Sequence, residues 1–283
     1  MLVSCKVGIV LLNWNGWRDT CACLQSLSLL CSHDFDAIVV DNASTDESPS
    51  HIANAFPEIT ILETSRNLGF AGGCNVGIRH LLDRDCDLFW LLNNDTVVEF
   101  GALQALLDKA RDDKRLGAIG SAIHCADNGN RLQAWGGGYI NFWLGRSRHF
   151  VRPVPDQSLE FITGASMMIR REAIEDIGLL DERFFMYWED ADYCFRLRAA
   201  GWRLGVAGDS RIRHKGSASV GRGSANMDRY FNASAARFFE KHAPTPGIAV
   251  WTGAALRIGK RMLSGDFQRA KAVWAGINQV SEN

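Results

Sequence analysis

The sequence has no uninterrupted apolar stretch of the roughly 18 residues that a membrane-crossing helix needs, so no span is expected. No basic segment leads into a long apolar one at its start, where a strand pattern begins almost at once, so no signal peptide is expected. Net charge is nearly absent, −1 from 31 basic and 32 acidic side chains, which gives no electrostatic case for nucleic acid as a partner. The eight cysteines (Cys5, Cys21, Cys23, Cys31, Cys74, Cys86, Cys125, Cys194) form no CxxC pair and no Cys/His cluster of zinc spacing. Several fall within apolar periodic stretches, as the small reduced core residues of a cytosolic protein do. There is no internal repeat and no low-complexity segment. The first strand lacks GxGxxG, which disfavours a nicotinamide-dependent dehydrogenase. What remains is 283 residues, 47% of them hydrophobic, enough for one large domain or a domain with an appendage.

Apolar runs that end in polar residues dominate the first half. Leu88-Phe89-Trp90-Leu91-Leu92 is unbroken, as in a strand covered on both faces of a sheet, and stops abruptly at Asn93-Asn94-Asp95-Thr96. A run from Val7 to Leu12 ends in Asn13-Trp14-Asn15-Gly16, and one from Ala37 to Val40 ends in Asp41-Asn42-Ala43-Ser44-Thr45-Asp46. The spacing predicts a helix from Trp17 to Leu30 and a short one through Ala55, with Ser44 as N-cap and Glu47 as capping-box partner. A third strand, Ile59 to Leu62, precedes the glycine-rich stretch Arg66 to Asn75, which opens a helix running to Leu82. This alternation means right-handed crossovers and an α/β fold with a mainly parallel sheet flanked by helices.

A helix from Phe100 to Asp112 and a strand over 118–123 continue the pattern. Residues 125–158, with three consecutive glycines, several aromatics, Pro153 and Pro155, are expected to form a loop or hairpin insert. Extended segments at 161–164 and 167–170 follow, then a short helix from Arg171 and a helix ending before Gly201. A strand over 211–213, a Gly/Ser loop from Lys215 to Ser224 and helices from Asp228 onward complete the reading.

In an open α/β sheet ligands bind beyond the carboxyl ends of the strands, so three polar strand ends point to a site. Asp95 beside two carboxamides can hold a hard divalent cation and through it a diphosphate, or the group can simply cap the next helix. Asp41 is positioned to accept hydrogen bonds from a ribose or a base. The glycines at 69, 72 and 73 either let backbone approach a bulky anion, with amides free at a helix start and Arg66 adding charge, or serve close helix packing. Glu189, Asp190 and Asp192 follow the aromatic run Phe184 to Trp188. Low-dielectric surroundings and mutual repulsion there raise one carboxyl's pKa and make it a better proton acceptor, while the helix dipole accounts for one of the three acids. His214 is either a structural histidine or a ligand to metal or phosphate. Trp135, Tyr187 and Trp188 either stack on sugar faces or fill core.

The set LNWN (12–15), VVDNASTD (39–46), RNLGFAGGCNVG (66–77), LLNND (91–95), WEDADYCFR (188–196) and RHKGSAS (213–219) resembles glycosyltransferase family 2, in its rhamnosyltransferase-like branch. The motifs keep the family's order over roughly residues 5–220. The resemblance implies a GT-A (Rossmann-like) fold, a nucleotide-diphosphate sugar donor, Mg²⁺ or Mn²⁺, and inversion at the anomeric carbon. It implies that Asp41 reads the nucleoside, and that Asn13, Asn15, Ser44, Arg66, Asn67, Gly73, Asn75, Asn93 and Asn94 line the nucleotide pocket. Asp95 and His214 would bind the metal, Asp190 would be the general base with Glu189 beside it, and Trp135, Trp188 and Gly164 would face the acceptor. One departure stands out: Asn93 occupies the place of the first Asp in the family's DxD. Asp95 is then the sole anionic protein ligand there, and weak metal affinity without donor nucleotide is expected.

The expected activity is transfer of a sugar, L-rhamnose from dTDP-rhamnose, to a saccharide or lipid-linked saccharide in bacterial cell-surface polysaccharide assembly. UDP-galactofuranose or another UDP-hexose is the rival donor, and a sugar-nucleotide-binding protein without catalysis is the rival class. The expected boundaries are 1–242 for the catalytic domain, its nucleotide-binding half ending near 124, and 243–283 for a basic amphipathic helical tail. In that tail Arg257, Lys260, Arg261, Arg269 and Lys271 outnumber the acids, interleaved with Trp251, Leu256, Met262, Leu263, Phe267 and Trp274. Such a tail either lies on an anionic membrane surface or packs on the catalytic domain or a neighbouring subunit. The expected location is cytoplasmic, at the inner face of the cell membrane in the first of those cases.

Overall fold

The computed structural model describes residues 5–30, 35–127, 131–216 and 224–279. Its first half alternates β1 (Val7–Asn13), α1 (Trp17–Ser28), β2 (Phe35–Asp41), α2 (Ser48–Ala55), β3 (Thr60–Glu63), α3 (Gly69–Leu82) and β4 (Leu88–Asn93). These four strands pair in parallel in the order β3-β2-β1-β4. Side chains alternate across the sheet and so feed two separate cores. Phe89 and Leu91 of β4 join Val10, Ile78 and Leu81 on the α3 face. Leu88, Trp90 and Leu92 join Ile9, Leu11, Leu24 and Leu27 on the α1 face. With both faces covered, the run from Leu88 to Leu92 can be apolar throughout, each buried large side chain contributing roughly 1.5–3 kcal/mol.

The second half is mixed. It contains β5 (Thr96–Val98), α4 (Ala102–Asp112), β6 (Leu116–Cys125), β7 (Leu132–Trp135), β8 (Gly137–Asn141), β9 (Arg146–His149), β10 (Phe161–Ile162), β11 (Ser166–Arg170), α5 (Arg171–Ile177), α6 (Glu189–Ala199) and β12 (Arg203–His214). Strand β11 inserts antiparallel between β4 and β6, and β12 runs parallel to β6 and antiparallel to β5. The insert expected at 125–158 contains β7, which pairs with β6, and the β8–β9 hairpin, which with β10 forms a separate three-stranded sheet. Two strands escaped the sequence reading in whole or part. β5 is only three residues long, and β12 starts at Arg203 because Gly205, Gly208 and a register shift between Ala207 and Arg211 break its apolar pattern.

The capping box expected at Ser44 is absent. Helix α2 begins at Ser48, with Glu47 at its N-cap and a proline in its first turn, and Ser44 is bound to Asp41 instead. Buried cysteines (Cys23, Cys74, Cys86, Cys125, Cys194) pack as expected, and none of the described cysteines is in a disulfide. Cys31 and most of the expected Gly/Ser loop, residues 217–223, lie outside the described residues.

Three C-terminal helices, α7 (Ala225–His242), α8 (Pro246–Leu263) and α9 (Phe267–Asn278), pack on one another, and α7 sets Phe238 and Phe239 into the main core. Arg261 and Arg269 converge on the buried Asp228 of α7, at 2.9–3.0 Å and 2.6 Å. Arg257 donates to Asn232 (2.6 Å) and to the Gly145 carbonyl (2.9 Å). Three of the five tail cations therefore bind protein, in keeping with the packing alternative for that face. No helix among the described residues is long and apolar enough to cross a membrane.

Glycine at 69 is required twice over. Its φ is +74°, and a Cβ there would lie 2.1 Å from the Phe185 carbonyl oxygen. Gly69→Ala should lower stability by more than about 2 kcal/mol in urea unfolding. Gly259→Ala, in helix α8 with nothing within 4 Å of its Cβ, should raise it by roughly 0.5–1 kcal/mol.

Candidate active site

Parallel register aligns the polar strand ends: Asn13 pairs with Asp41, and Leu12 with Asn93. Asn13 donates to Asp41 Oδ1 (2.7 Å) and to Ser44 Oγ (3.1 Å), and accepts from Thr20 (2.7 Å). Ser44 donates to both Asp41 oxygens, through Oγ at 2.7 Å and its amide at 2.9 Å. Asn15 Oδ1 accepts from the Thr45 amide (2.7 Å), tying the first strand's loop to the second's. Asn13 and Asp41 are buried, and these four residues brace the site without lining its cavity.

The cavity holds about 350 Å³. On one side its wall carries Trp14, Asn42, Asn67, Asn93, Asn94 and Asp95, on the other Thr163, Gly164, Trp188, Glu189 and Asp190, with His214 and Gln133 beside Asp95. Asp95 and Asp190, from opposite halves of the chain, thus face one open space. The turn after β10 links them. Gly164 N–H donates to Asp190 Oδ2 (2.9 Å), and the next carbonyl, of Ala165, accepts from Asn93 N–H (3.1 Å).

His214 Nε2 lies 3.1 Å from Asp95 Oδ1 and 3.3 Å from Asn93 Nδ2, and its Nδ1 lies 3.3 Å from Gln133 Oε1. A carbonyl oxygen can only accept, so Nδ1–H donates to Gln133 and Nε2 is directed at the Asp95 carboxylate. In the Nδ1–H tautomer the Nε2 lone pair and the Asp95 carboxylate converge on one point, and one carboxylate with one imidazole suits a divalent ion there. Among the described residues no cluster of three His, Cys, Asp or Glu side chains could hold a metal, so further ligands must come from elsewhere.

The acidic pair is delivered by strained backbone. Tyr187 (φ 70°) and Trp188 (φ 69°) both occupy the left-handed region, a cost of order 1–3 kcal/mol each for non-glycine residues. Aromatic packing holds them there: Trp188 lies 4.9 Å from Phe238 and 5.1 Å from Phe239, and Tyr187 5.6 Å from Phe231. Helix α6 then starts with Glu189 and Asp190 in the cavity wall. Burial pushes both carboxyls up in pKa. Glu189 rises well above the usual range, with the Asp190 charge adding to burial, and its Oε2 has no hydrogen-bond partner among the described residues. Asp190 is the better-solvated anion, because Gly164 N–H, Ala191 N–H (2.7 Å) and the nearby His149 oppose its rise. The environments therefore set the two adjacent acids apart, with Glu189 raised further than Asp190.

Several residues expected at the site lie elsewhere. Gly73 packs against β1, since a Cβ there would sit 2.3 Å from Leu12 Cδ1. The amides at the start of α3 are already used: Leu68 N–H by Asn42 (2.9 Å), Gly69 N–H by Asn67 (2.8 Å), Phe70 N–H by the Phe185 carbonyl (2.6 Å). Asn75 is buried and pins the 180–182 segment through Leu180 and Glu182, and Arg66 is exposed outside the cavity lining. Trp135 covers Gly208 rather than the cavity. Trp188 does line the cavity, although it is only 4% exposed and its ring packs on Phe238 and Phe239. Gly164 does line the cavity, and it orients Asp190. Gln133, His149 and Asn42 were missed, because single polar residues in an irregular segment or behind a strand end carry no spacing signal.

The model of glycosyl transferase family 2 matches residues 9–178, more than half of the chain, and the chain belongs to that family. It is 29% identical over 226 residues to the N-acetylglucosaminyl-diphospho-decaprenol L-rhamnosyltransferase of Mycobacterium tuberculosis, covering 72% of this chain and 74% of that protein. A galactofuranosyltransferase of the same organism is 26% identical over 182 residues, 62% of this chain and 59% of that one. Among solved structures, the mannosyltransferase of Pyrobaculum calidifontis in complex with GDP-Man and Mn²⁺ superposes with a TM-score of 0.59 at 18% identity, over 95% of this chain and 74% of that one. GalNAc-T7 with UDP, GalNAc and Mn²⁺ superposes at 0.69 with 13% identity, over 100% and 57%. At these identities the likeness establishes the fold, which is GT-A.

Asp192, the third acid, is structural. Burial pushes its pKa up, but hydrogen bonds from His242 and Lys241 and the charges of Lys241 and Arg196 outweigh that and hold it below the usual carboxylate range. The stabilisation is present above the ordinary carboxylate pKa and is lost as pH falls through the lowered folded value. Asp192→Asn should cost about 3 kcal/mol near neutrality in urea unfolding, with the gap to the unmodified chain closing on acidification.

Proposed function

We propose that this chain is an inverting glycosyltransferase that moves a sugar, L-rhamnose from dTDP-rhamnose, to a saccharide or lipid-linked saccharide acceptor in bacterial cell-surface polysaccharide synthesis. The observation that carries this reading is the shared cavity: an acid–imidazole pair at Asp95 and His214 faces the half-buried Asp190. The relative named as an L-rhamnosyltransferase, with a decaprenol-linked acceptor in its name, supports both donor and acceptor class. A UDP-sugar donor is the second reading, favoured by the galactofuranosyltransferase relative. The reaction belongs in the cytoplasm, where nucleotide sugars are made, at the inner membrane face when the acceptor is lipid-linked.

Asp190 accepts the proton of the acceptor hydroxyl while that oxygen bonds to the anomeric carbon, and the bond from this carbon to the diphosphate breaks on the opposite face. Glu189, neutral in its apolar surroundings, offers the acceptor a hydrogen bond instead of a charge. Asn67 and Trp14 are the cavity residues available to the nucleotide, with Asn42, 2% exposed, donating to Asn67 and the Gly69 carbonyl behind them. Asp95 and His214 would hold Mg²⁺ or Mn²⁺, whose chemistry there is to offset charge on the leaving diphosphate, and Gln133 keeps His214 in the ligating tautomer.

Asp190→Asn should cut transfer by about 10²–10⁴-fold while leaving dTDP or UDP binding intact in a thermal-shift assay. Glu189→Gln, isosteric and neutral, should retain activity to within about tenfold. In the unmodified enzyme the rate should fall on acidification through a pKa above the usual carboxylate range. An unmodified chain that binds nucleotide yet consumes no donor sugar would support the non-catalytic class instead.

Calorimetry of Mn²⁺ into the nucleotide-free chain should show weak binding that tightens with dTDP or UDP, because two protein ligands leave phosphate oxygens to complete the shell. Tight binding without nucleotide would contradict this ligand set.

A further inference from the structure

Helix α8 carries its apolar face outward. It has no acidic residue, and both of its arginines are turned inward, Arg257 to Asn232 and Gly145, Arg261 to Asp228. At about 100° per residue, the arc opposite those arginines holds Trp251, Leu256 and Leu263, which are 53%, 46% and 92% exposed. Helix α9 extends the patch with Phe267 and with Trp274, whose ring lies 5.8 Å from that of Trp251. The β8–β9 turn adds Trp143, 70% exposed, held beside α8 because Thr252 Oγ1 donates to the Trp143 carbonyl (2.7 Å). A surface helix normally hides such residues, and a contiguous apolar patch of this kind marks a docking face.

We infer that α8, α9 and the β8–β9 turn form a face that docks in the headgroup region of an anionic lipid bilayer, lying on the membrane without crossing it. Charge and composition favour lipid over protein. Across residues 243–279 the only acid is Asp266, whose carboxylate caps α9 by accepting from Arg269 N–H (3.1 Å), whereas Lys260 and Lys271 are exposed beside the patch. Exposed lysines flanking tryptophan and leucine match a negatively charged interface, where indole rings sit at headgroup level and aliphatic tips reach the acyl chains. The inward arginines are incompatible with a span. The face is also joined to the active cavity: the strand that leaves the Trp143 turn carries Ser147 and His149, both of which line the cavity. A membrane-bound acceptor would thus meet the active site from the docked side.

The test is sedimentation of the full chain with vesicles of phosphatidylcholine alone or mixed equally with phosphatidylglycerol, at low salt. The unmodified chain should pellet with the mixed vesicles. Trp251→Ser combined with Leu263→Ser should weaken that binding at least about tenfold, with the melting temperature and dTDP or UDP binding unchanged. Lys260→Glu combined with Lys271→Glu should weaken binding to the mixed vesicles and bring it to the level seen with phosphatidylcholine. Unmodified chain left in the supernatant with both vesicle types would overturn the inference, as would undiminished binding by the serine variant. A solution dimer that the serine variant dissociates, with no vesicle binding, would assign the face to a second copy of this chain and overturn it equally. Failure of the unmodified chain to bind nucleotide would count against the catalytic reading and leave this inference untouched.

Discussion

The geometry depends on one short turn. Residues 163–166 leave β10 and enter β11, the strand wedged between the parallel half of the sheet and the rest. From that turn one backbone N–H holds the Asp190 carboxylate, and the next carbonyl accepts from Asn93, two residues before Asp95. Two functional ends more than ninety residues apart in sequence are therefore registered by the backbone of two adjacent residues, Gly164 and Ala165. Backbone hydrogen bonds of this kind have little slack, and β11 is itself locked by antiparallel ladders on both edges. Gly164 suits this role, because a Cβ there would press on Phe70 Cε1 at 3.3 Å.

Around that joint the site stores strain and electrostatic cost. The left-handed Tyr187 and Trp188, and a buried Glu189 carboxyl oxygen without a partner among the described residues, would each destabilise an ordinary surface. They are offset by the aromatic cluster of Trp188, Phe231, Phe238 and Phe239, which packs the 187–190 segment in place. The arrangement separates two adjacent acids by environment: Gly164 and Ala191 N–H limit the rise of Asp190, while Glu189 has one buried oxygen without a partner among the described residues. Asp192, two residues on, has three basic partners and no part in the cavity.

The C-terminal helices illustrate how a basic stretch can mislead. Counted in the sequence, the tail looks like a cationic surface. In the fold its arginines are the internal cement, two of them on one buried aspartate, and apolar residues face outward. Composition could not distinguish these cases, because both the arginines and the leucines recur at helical spacing and only the neighbour decides which face is inside.

The strands of the first half, the helices between them and the family were legible from the sequence, since apolar runs buried on both faces and ordered motifs are local signals. Asp95 and Asp190 were singled out because polar groups follow apolar or aromatic runs there, and His214 because it stands between a strand and a Gly/Ser loop; their roles came from the family resemblance. The sequence could not say that Asn75, Gly73 and Trp135 serve packing, nor that Gln133 and His149 face the cavity. Those roles are set by contacts between residues distant in the chain, as in Gly73 against Leu12 or Asn75 against Leu180. Sequence alone determined which groups could do chemistry and at which strand ends. Tertiary structure alone decided which of them share a cavity, because β11 and the turn before it bring the two halves into register, and no local pattern encodes a contact made across seventy residues.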